Sequence, residues 1–207
     1  MPRYDDLVRD YHALAFRVAR SVLRDDASAE DAVQDLYLKL LRDPGVLDQV
    51  GSMKSFVARA AVNAALDQRR RGGRREKHER AARREEAAMS PVDAAARVEL
   101  RSKVAELPQE QRLAVELHYF HGLTKEETAH AMQIPAGTVA SRLNAGLSRL
   151  RTMLSGAAMA GLLAMLESEL GRCGAEEVVP AGLEKTLLRM RAEGAPPSGG
   201  AAAHGGR

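Results

Sequence analysis

Hydrophobic residues recur at helical spacing along almost the whole chain. Near the start they are three or four residues apart, which places them on one face of a helix ending near Arg24. The residues on this face are Leu7, Tyr11, Leu14, Val18 and Val22. No run of alternating β-branched residues predicts a strand. The pattern therefore predicts an all-α fold.

Two more helices complete a first predicted domain, residues 1–71. Ser28 stands three residues before Asp31, a spacing similar to a capping box, and predicts the start of the second helix. The apolar positions of that helix are Val33, Leu36, Tyr37 and Leu40. Asp43-Pro44-Gly45 ends it, and a third helix begins at about Ser52 and runs into a cluster of arginines.

Residues 72–92 are predicted to form a basic linker between two small helical domains. The chain carries a net charge of only +3, but residues 69–84 hold nine basic and two acidic side chains. Such a concentration suits a polyanion, because each neutralised phosphate releases counterions. A solvated, flexible linker accounts for the same run equally well.

A second predicted domain spans residues 93–154. Pro108 ends its first helix, because the residue before a proline disfavours helical angles. The next helix closes at Gly122, a suitable C-terminal cap, and two further helices follow at about 124–132 and 136–153.

These last two helices have the features of a helix-turn-helix. Thr124 and Glu127 form a capping box, Ala129 permits close approach of the helices, and Ile134 fills the corner. The buried side of the second helix is Val139, Leu143, Leu147 and Leu150. Its outer side carries five candidate DNA contacts: Thr138, Ser141, Arg142, Asn144 and Arg149. A helix held this way enters the major groove, where Arg pairs with guanine and Asn with adenine. A plain helical hairpin is the alternative.

The third helix of the first domain carries a second candidate site. Four hydrogen-bonding side chains share one stripe: Arg59, Asn63, Asp67 and Arg70. Arginines can hold phosphates while Asn and Asp read base edges. A solvated helix face would show the same stripe.

Three segments, in order, resemble extracytoplasmic-function (group four) sigma factors. Ala29-Glu-Asp-Ala-Val-Gln-Asp-Leu-Tyr-Leu-Lys-Leu-Leu is similar to the polymerase-binding helix of sigma region two. Arg59-Ala-Ala-Val-Asn-Ala-Ala-Leu-Asp-Gln-Arg-Arg-Arg resembles the promoter-reading segment of that region, and Leu107-Pro-Gln-Glu-Gln-Arg with the helix-turn-helix resembles region four. The resemblance covers about residues 4–153. It implies a protein that binds RNA polymerase core and directs promoter-specific initiation.

The resemblance also implies roles for the matching residues. Asp31, Gln34 and Asp35 are expected to dock on the clamp helices of the largest polymerase subunit. The stripe of the third helix is expected to read the minus-ten element, beside a loop at about 44–51 that receives a flipped base. The outer side of the last helix is expected to meet the minus-thirty-five element, with the rest of region four on the polymerase flap. Promoter DNA and polymerase core are thus the implied partners, and an anti-sigma factor is a further candidate.

One segment departs from the family pattern. Recognition helices of this family commonly read Ser-Arg-Leu-His-Arg-Ala-Arg, whereas this chain reads Ser141-Arg-Leu-Asn-Ala-Gly-Leu. Ala145 interrupts the basic face, and Gly146 costs about 1 kcal/mol of helix stability relative to alanine. We therefore expect weak minus-thirty-five affinity or an altered sequence preference.

The remainder is predicted to be a helical C-terminal extension (155–193) and a disordered tail (194–207). Residues 157–170 are apolar and helix-forming, and residues 181–192 form a short amphipathic helix. The apolar helix predicted at 157–170 needs a surface to cover. It could dock on the protein's own domains as an autoinhibitory or stabilising element, bind a partner, or simply pack.

Several classes of function have little support. Cys173 is the single cysteine, which excludes an intramolecular disulfide and a cysteine metal cluster. The six histidines are scattered, so surface histidines are favoured over a metal site, and no phosphate-binding loop or nucleophile motif predicts an enzyme or a cofactor. No secretory signal or membrane-spanning stretch is found, which predicts a soluble, cytoplasmic protein without membrane insertion.

Two other functions remain open. A helix-turn-helix regulator would bind duplex DNA without docking on polymerase core, and a sequestering protein would bind polymerase or an anti-sigma factor without starting transcription. Core pull-down separates the first from a sigma factor, and run-off transcription separates the second.

Overall fold

The computed structural model describes residues 4–72, 91–154 and 179–193, and every regular element within these ranges is helical. The helices are α1 (Tyr4–Leu23), α2 (Asp26–Arg42), α3 (Met53–Gly72), α4 (Pro91–Glu106), α5 (Gln109–Val115), α6 (Lys125–Met132), α7 (Ala136–Met153) and α8 (Leu183–Ala192), with a 3₁₀ segment at Pro44–Gln49 and a π-helical turn at Glu116–Phe120. The prediction of an all-α fold is confirmed. The basic run after Gly72, the apolar stretch 157–170 and the tail from residue 194 lie outside the described residues.

Helices α1, α2 and α3 pack together as a three-helix unit, here called the N-terminal bundle. The apolar stripes predicted for α1 and α2 face its core, which also contains Phe16 and Tyr37 with no measurable exposure. The Tyr37 hydroxyl donates to the Leu7 carbonyl at 3.2 Å, which satisfies its buried polar atom. Burial raises the pKa of Tyr37 above its ordinary value. Each such large side chain contributes roughly 1.5–3 kcal/mol to folding.

Helix α2 begins earlier than the sequence pattern suggested. The N-cap is Asp25, whose carboxylate accepts a hydrogen bond from the Ser28 backbone N–H at 2.7 Å. The predicted start at Ser28 is therefore wrong, because Ser28 supplies the N–H that is capped rather than the cap itself. The hydrogen bonds from Ser28 lower the pKa of Asp25, and the positive helix N-terminus also favours the carboxylate there.

Helices α4 to α7 form the helix-turn-helix unit. The predicted capping box is confirmed: Glu127 N–H donates to the Thr124 hydroxyl at 3.1 Å, and Thr124 N–H donates to the Glu127 carboxylate at 2.9 Å. Gly122 takes a left-handed φ of 64° after the π-helical turn, as expected of a glycine cap, and Gln133 takes φ 57° between α6 and α7. The predicted inner side of α7 is buried: Val139, Leu143, Leu147 and Leu150.

Gly146 is buried on the inner side of α7, against residues of α5 and of the turn between α4 and α5. A Cβ atom at this position would lie 3.1 Å from Val115 Cγ2 and 3.7 Å from Leu107 Cδ1. The absence of a side chain thus allows tight helix contact, which offsets part of the cost of a glycine within a helix.

Replacing Gly146 with leucine should destabilise the protein by about 1–3 kcal/mol, since the added atoms must displace Val115 in a closely packed contact. Urea denaturation of the variant measures this loss. Ser148→Leu, on the exposed side of the same helix, is the matched control and should change the free energy of unfolding little. Equal losses in both variants would contradict the packing role assigned to Gly146.

The two units are in direct apolar contact, although most of the helix-turn-helix unit has a hydrophobic cluster of its own. Leu117, Leu123 and Ala131 of the helix-turn-helix unit are buried in the same hydrophobic cluster as the N-terminal bundle, and α3 packs directly against α6. This contact is called the α3–α6 seam below. It brings the helix-turn-helix unit beside the polar stripe of α3.

Helix α8 packs on the N-terminal bundle, against α1 and α2. Leu183 and Leu187 are fully buried there, and the Tyr4 hydroxyl donates to the Leu187 carbonyl at 3.3 Å. An ion pair joins Arg191 to Asp5. Burial, and then the neighbouring carboxylate, raise the pKa of Tyr4 to about 12. This part of the extension therefore covers a surface of its own chain. No helix within the described ranges is long and apolar enough to cross a membrane.

Candidate nucleic-acid interface

The stripe predicted on α3 lies along one side of that helix, and its first half is in contact with α6. One guanidinium nitrogen of Arg59 lies 3.2 Å from His130 Nε2, and the Asn63 carboxamide oxygen accepts from Gln133 Nε2 at 2.7 Å. The second half carries an ion pair within α3 itself. There, Arg70 pairs with Asp67 at 3.4 Å, one turn apart on the same helix.

A cavity of about 560 Å³ opens at the same place. The segment after the 3₁₀ turn contributes Val50 and Gly51, and α3 contributes Phe56, Arg59 and Asn63 among others. The opposite wall comes from α6: Glu126, Glu127 and His130. The cavity thus combines an aromatic ring and hydrogen-bonding groups from α3 with two carboxylates from α6.

The three residues predicted to dock on polymerase lie on neighbouring turns of α2. Asp31 is exposed, whereas Gln34 and Asp35 are half-buried. The Asp35 carboxylate accepts from an Arg71 guanidinium N–H at 3.1 Å, and Gln34 Nε2 donates to Glu30 at 3.4 Å. Asp31 is therefore the most accessible side chain of the three.

The outer side of α7 presents the five predicted side chains to different degrees. Ser141, Asn144 and Arg149 are exposed, and Thr138 is half-buried. Arg142 donates to the Glu110 carboxylate at 2.6 Å, so its guanidinium is held toward the start of α5. Most of this face is open to solvent, which a DNA-reading helix requires.

The residues that connect the two units could not be identified from the sequence. Ser55 Oγ lies 2.9 Å from His130 Nδ1, and the Lys54 ammonium lies 4.0 Å from the Glu127 carboxylate and also donates to the Gly122 carbonyl. These side chains resemble ordinary polar surface residues, and no spacing rule links α3 to a helix some seventy positions later.

His121 was expected at the surface with the other histidines, and that prediction is wrong. Its ring is buried, and Nε2 lies 2.9 Å from Ser21 Oγ of α1. Burial, aided by the positive charges of Arg17 and Arg101, lowers the pKa of His121 to about 3. The imidazole is thus neutral at physiological pH.

This burial predicts a pH-dependent loss of stability. The unfolded chain binds a proton at His121 below about pH 6.5, whereas the folded chain does not until about pH 3. Stability should therefore fall as pH decreases, by about 1.4 kcal/mol between about pH 7.5 and about pH 5.5 from this group alone. Urea denaturation at both pH values tests this. His121→Gln should lack this component of the pH dependence, and an unchanged pH dependence in that variant would contradict it.

Comparison with known proteins finds two family matches, one on each of the two units. Residues 7–75 match the family model for sigma-70 region 2, and residues 97–150 match the model for sigma-70 region 4. The chain is 33% identical over 156 residues to the ECF RNA polymerase sigma factor SigM of Mycobacterium tuberculosis, covering 73% of this chain and 76% of the relative.

The chain belongs to the extracytoplasmic-function sigma factors. It is also 30% identical over 163 residues to the sigma factor SigE of Mycolicibacterium smegmatis, covering 75% of this chain and 63% of that relative. Like the family, this sigma factor binds RNA polymerase core and directs it to promoters. The N-terminal bundle corresponds to region two and the helix-turn-helix unit to region four.

A solved structure has the same fold. It is the sigma factor RpoE in complex with the anti-sigma factor NepR from Bartonella quintana, with a TM-score of 0.54 and 21% sequence identity, covering 69% of this chain and 91% of that one. The similarity agrees with the all-helical architecture of this sigma factor.

Proposed function

We propose that three surfaces divide the work of promoter recognition in this sigma factor. The exposed side of α2 docks on the polymerase clamp helices, the α3 stripe reads the minus-ten element, and the outer side of α7 reads the minus-thirty-five element. The chain contributes binding and positioning, the polymerase performs the catalysis, and both work in the cytoplasm. The observation that carries the proposal is that α7 buries one side while its other side is polar and open.

The minus-ten proposal is supported by the chemistry of α3. Asn63 can pair with adenine through its carboxamide, and Arg59 and Arg70 can hold phosphates. The cavity at Val50, Gly51 and Phe56 lies next to this stripe and has the size for a base that leaves the duplex. Unstacking a base costs a few kcal/mol, and contacts in such a pocket would offset that cost.

The minus-thirty-five proposal rests on Ser141, Asn144 and Arg149, with Thr138 at the start of the helix. Arg142 must exchange its ion pair with Glu110 for a DNA contact before it can contribute. Ala145 leaves the middle of this face without a base-reading group. The preference at this element should therefore depend mainly on Asn144 and Arg149.

The remaining partners follow from the same assignment. The helix-turn-helix unit would contact the polymerase flap through surfaces other than the outer side of α7. The structurally similar RpoE is bound to an anti-sigma factor, which supports a protein inhibitor of this kind for this sigma factor as well.

Two measurements on the full chain test the proposal. The purified chain should co-purify with polymerase core, and the reconstituted enzyme should give run-off transcripts from promoters found by genome-wide mapping of core-bound sites. Binding to duplex DNA without core binding would identify a helix-turn-helix regulator instead. Core binding without a transcript from any template would identify a sequestering protein.

A further inference from the structure

We propose that the α3–α6 seam is an autoinhibitory contact, in which α6 occupies the place of promoter DNA on α3 while the sigma factor is free. The inference rests on the proposed role of the α3 stripe in reading the minus-ten element. It adds a closed state in which region four masks region two, and an open state in which both can meet DNA.

The first support is that the seam uses the base-reading groups themselves. The Asn63 carboxamide oxygen is taken by Gln133, at 2.7 Å, and the Arg59 guanidinium is at 3.2 Å from the His130 ring. Asn needs both its oxygen and its amide nitrogen to pair with adenine in the two-bond manner. A chain with this hydrogen bond in place cannot make that pair.

The second support is electrostatic. Glu126 and Glu127 line the cavity beside Arg59, and Glu127 also lies 4.0 Å from the Lys54 ammonium. In the closed state these carboxylates lie where DNA phosphates would approach the basic groups of α3. Phosphates entering this space would meet like charges, so DNA and α6 exclude one another.

The third support is that the seam is more than a polar contact. Ala131 of α6, and Leu123 just before that helix, are almost completely buried in the core of the N-terminal bundle. Beside the seam, Ser21 Oγ of α1 lies 2.9 Å from Nε2 of the buried His121. Apolar burial gives the closed state a stability that surface hydrogen bonds alone lack. Docking on polymerase at two separate places would offset it by holding the two units apart.

A reversible cross-link tests whether the closed state blocks function. Lys54→Cys and Glu127→Cys, in a full chain that also carries Cys173→Ser, place one thiol on each side of the seam. A short bis-methanethiosulfonate reagent should link them in the free protein. We expect the linked protein to give at least tenfold less run-off transcript with polymerase core, and dithiothreitol to restore the transcript.

The controls separate a closed state from a damaged protein. The Lys54→Cys chain treated with a monofunctional methanethiosulfonate carries a similar modification without the link, and dithiothreitol should leave its transcript level unchanged. The reduced double variant also lacks the Glu127 cap. Any effect of losing that cap is therefore the same in the linked and in the reduced protein.

Two results would overturn the proposal: absence of a link in the free chain, or equal transcription by linked and reduced protein. Absence of transcript from the unmodified and the reduced chains alike would instead contradict the proposed function.

A second pair of substitutions should act in the opposite direction. His130→Ala with Gln133→Ala removes three seam hydrogen bonds, those of His130 with Arg59 and Ser55 and that of Gln133 with Asn63. It changes no residue of α3 or of the outer side of α7. We expect the free double variant to bind a single-stranded oligonucleotide of the mapped minus-ten element about threefold to tenfold more tightly than the unmodified chain. Lys125→Ala, on the exposed start of α6, is the control and should show no gain. Unchanged binding by the double variant would count against the seam as an inhibitory contact.

Discussion

Replacing Arg59 and Asn63 together by alanine is expected to reduce run-off transcription about 100-fold while core binding stays within about twofold. Each specific side-chain contact to a base or its phosphate contributes about 1–3 kcal/mol of recognition, so two lost contacts reach this size. Both side chains project from α3 at its polar side, and neither supports the bundle core. Run-off transcription and core titration on the same preparations measure the two effects.

A substitution on another side of α3 provides the control. Gln68→Ala changes a half-buried polar residue of the same helix that does not belong to the stripe. It should leave transcription within about twofold. If Gln68→Ala were as damaging as the double variant, the loss would reflect the stability of α3, and the assignment of the stripe to the minus-ten element would be wrong.

The second large effect concerns polymerase docking. Asp31→Lys should weaken core binding about 30-fold, because a lysine facing a complementary surface introduces like charges that cost about 2 kcal/mol or more. Asp31 is the exposed member of the three α2 residues, whereas Asp35 is in an ion pair with Arg71. Titration of labelled sigma factor with polymerase core measures the change.

Asp10→Lys makes the same change of charge on the exposed side of α1. It should reduce core binding by less than about threefold, since its only effect is on the overall charge of the bundle. If both substitutions weakened core binding equally, the docking surface could not be assigned to α2. If Asp31→Lys did not weaken core binding, this part of α2 would not belong to the docking surface.

The sequence was most informative where structure is decided locally. The capping box of Thr124 and Glu127 lies within one helical turn, and the pair occurs as predicted. The buried side of α7 follows in the same way from four apolar residues at helical spacing. The start of α2 was harder, because Asp25 and Ser28 are both good cap residues and only geometry decides which one accepts the hydrogen bond.

Contacts between distant segments could not be predicted from such patterns. His130 and Gln133 look like surface residues of a short helix, and their partners on α3 lie about seventy positions earlier. The burial of His121 has the same cause, since it depends on where α1 lies relative to the π-helical turn. The pattern of residues 181–192 predicted a short amphipathic helix, which α8 confirms, but an apolar stripe does not specify which surface it meets.

The docking of α8 on α1 and α2 also has a consequence for protein synthesis. The N-terminal bundle is translated first, whereas α8, which covers part of its surface with Leu183 and Leu187, ends about 120 residues after the end of α3. At about 5–20 residues per second, the ribosome needs roughly 6 to 24 s to make this stretch. During that interval the apolar surface of α1 and α2 that α8 contacts lacks its covering helix. A nascent chain therefore completes the bundle surface only when translation has passed α8.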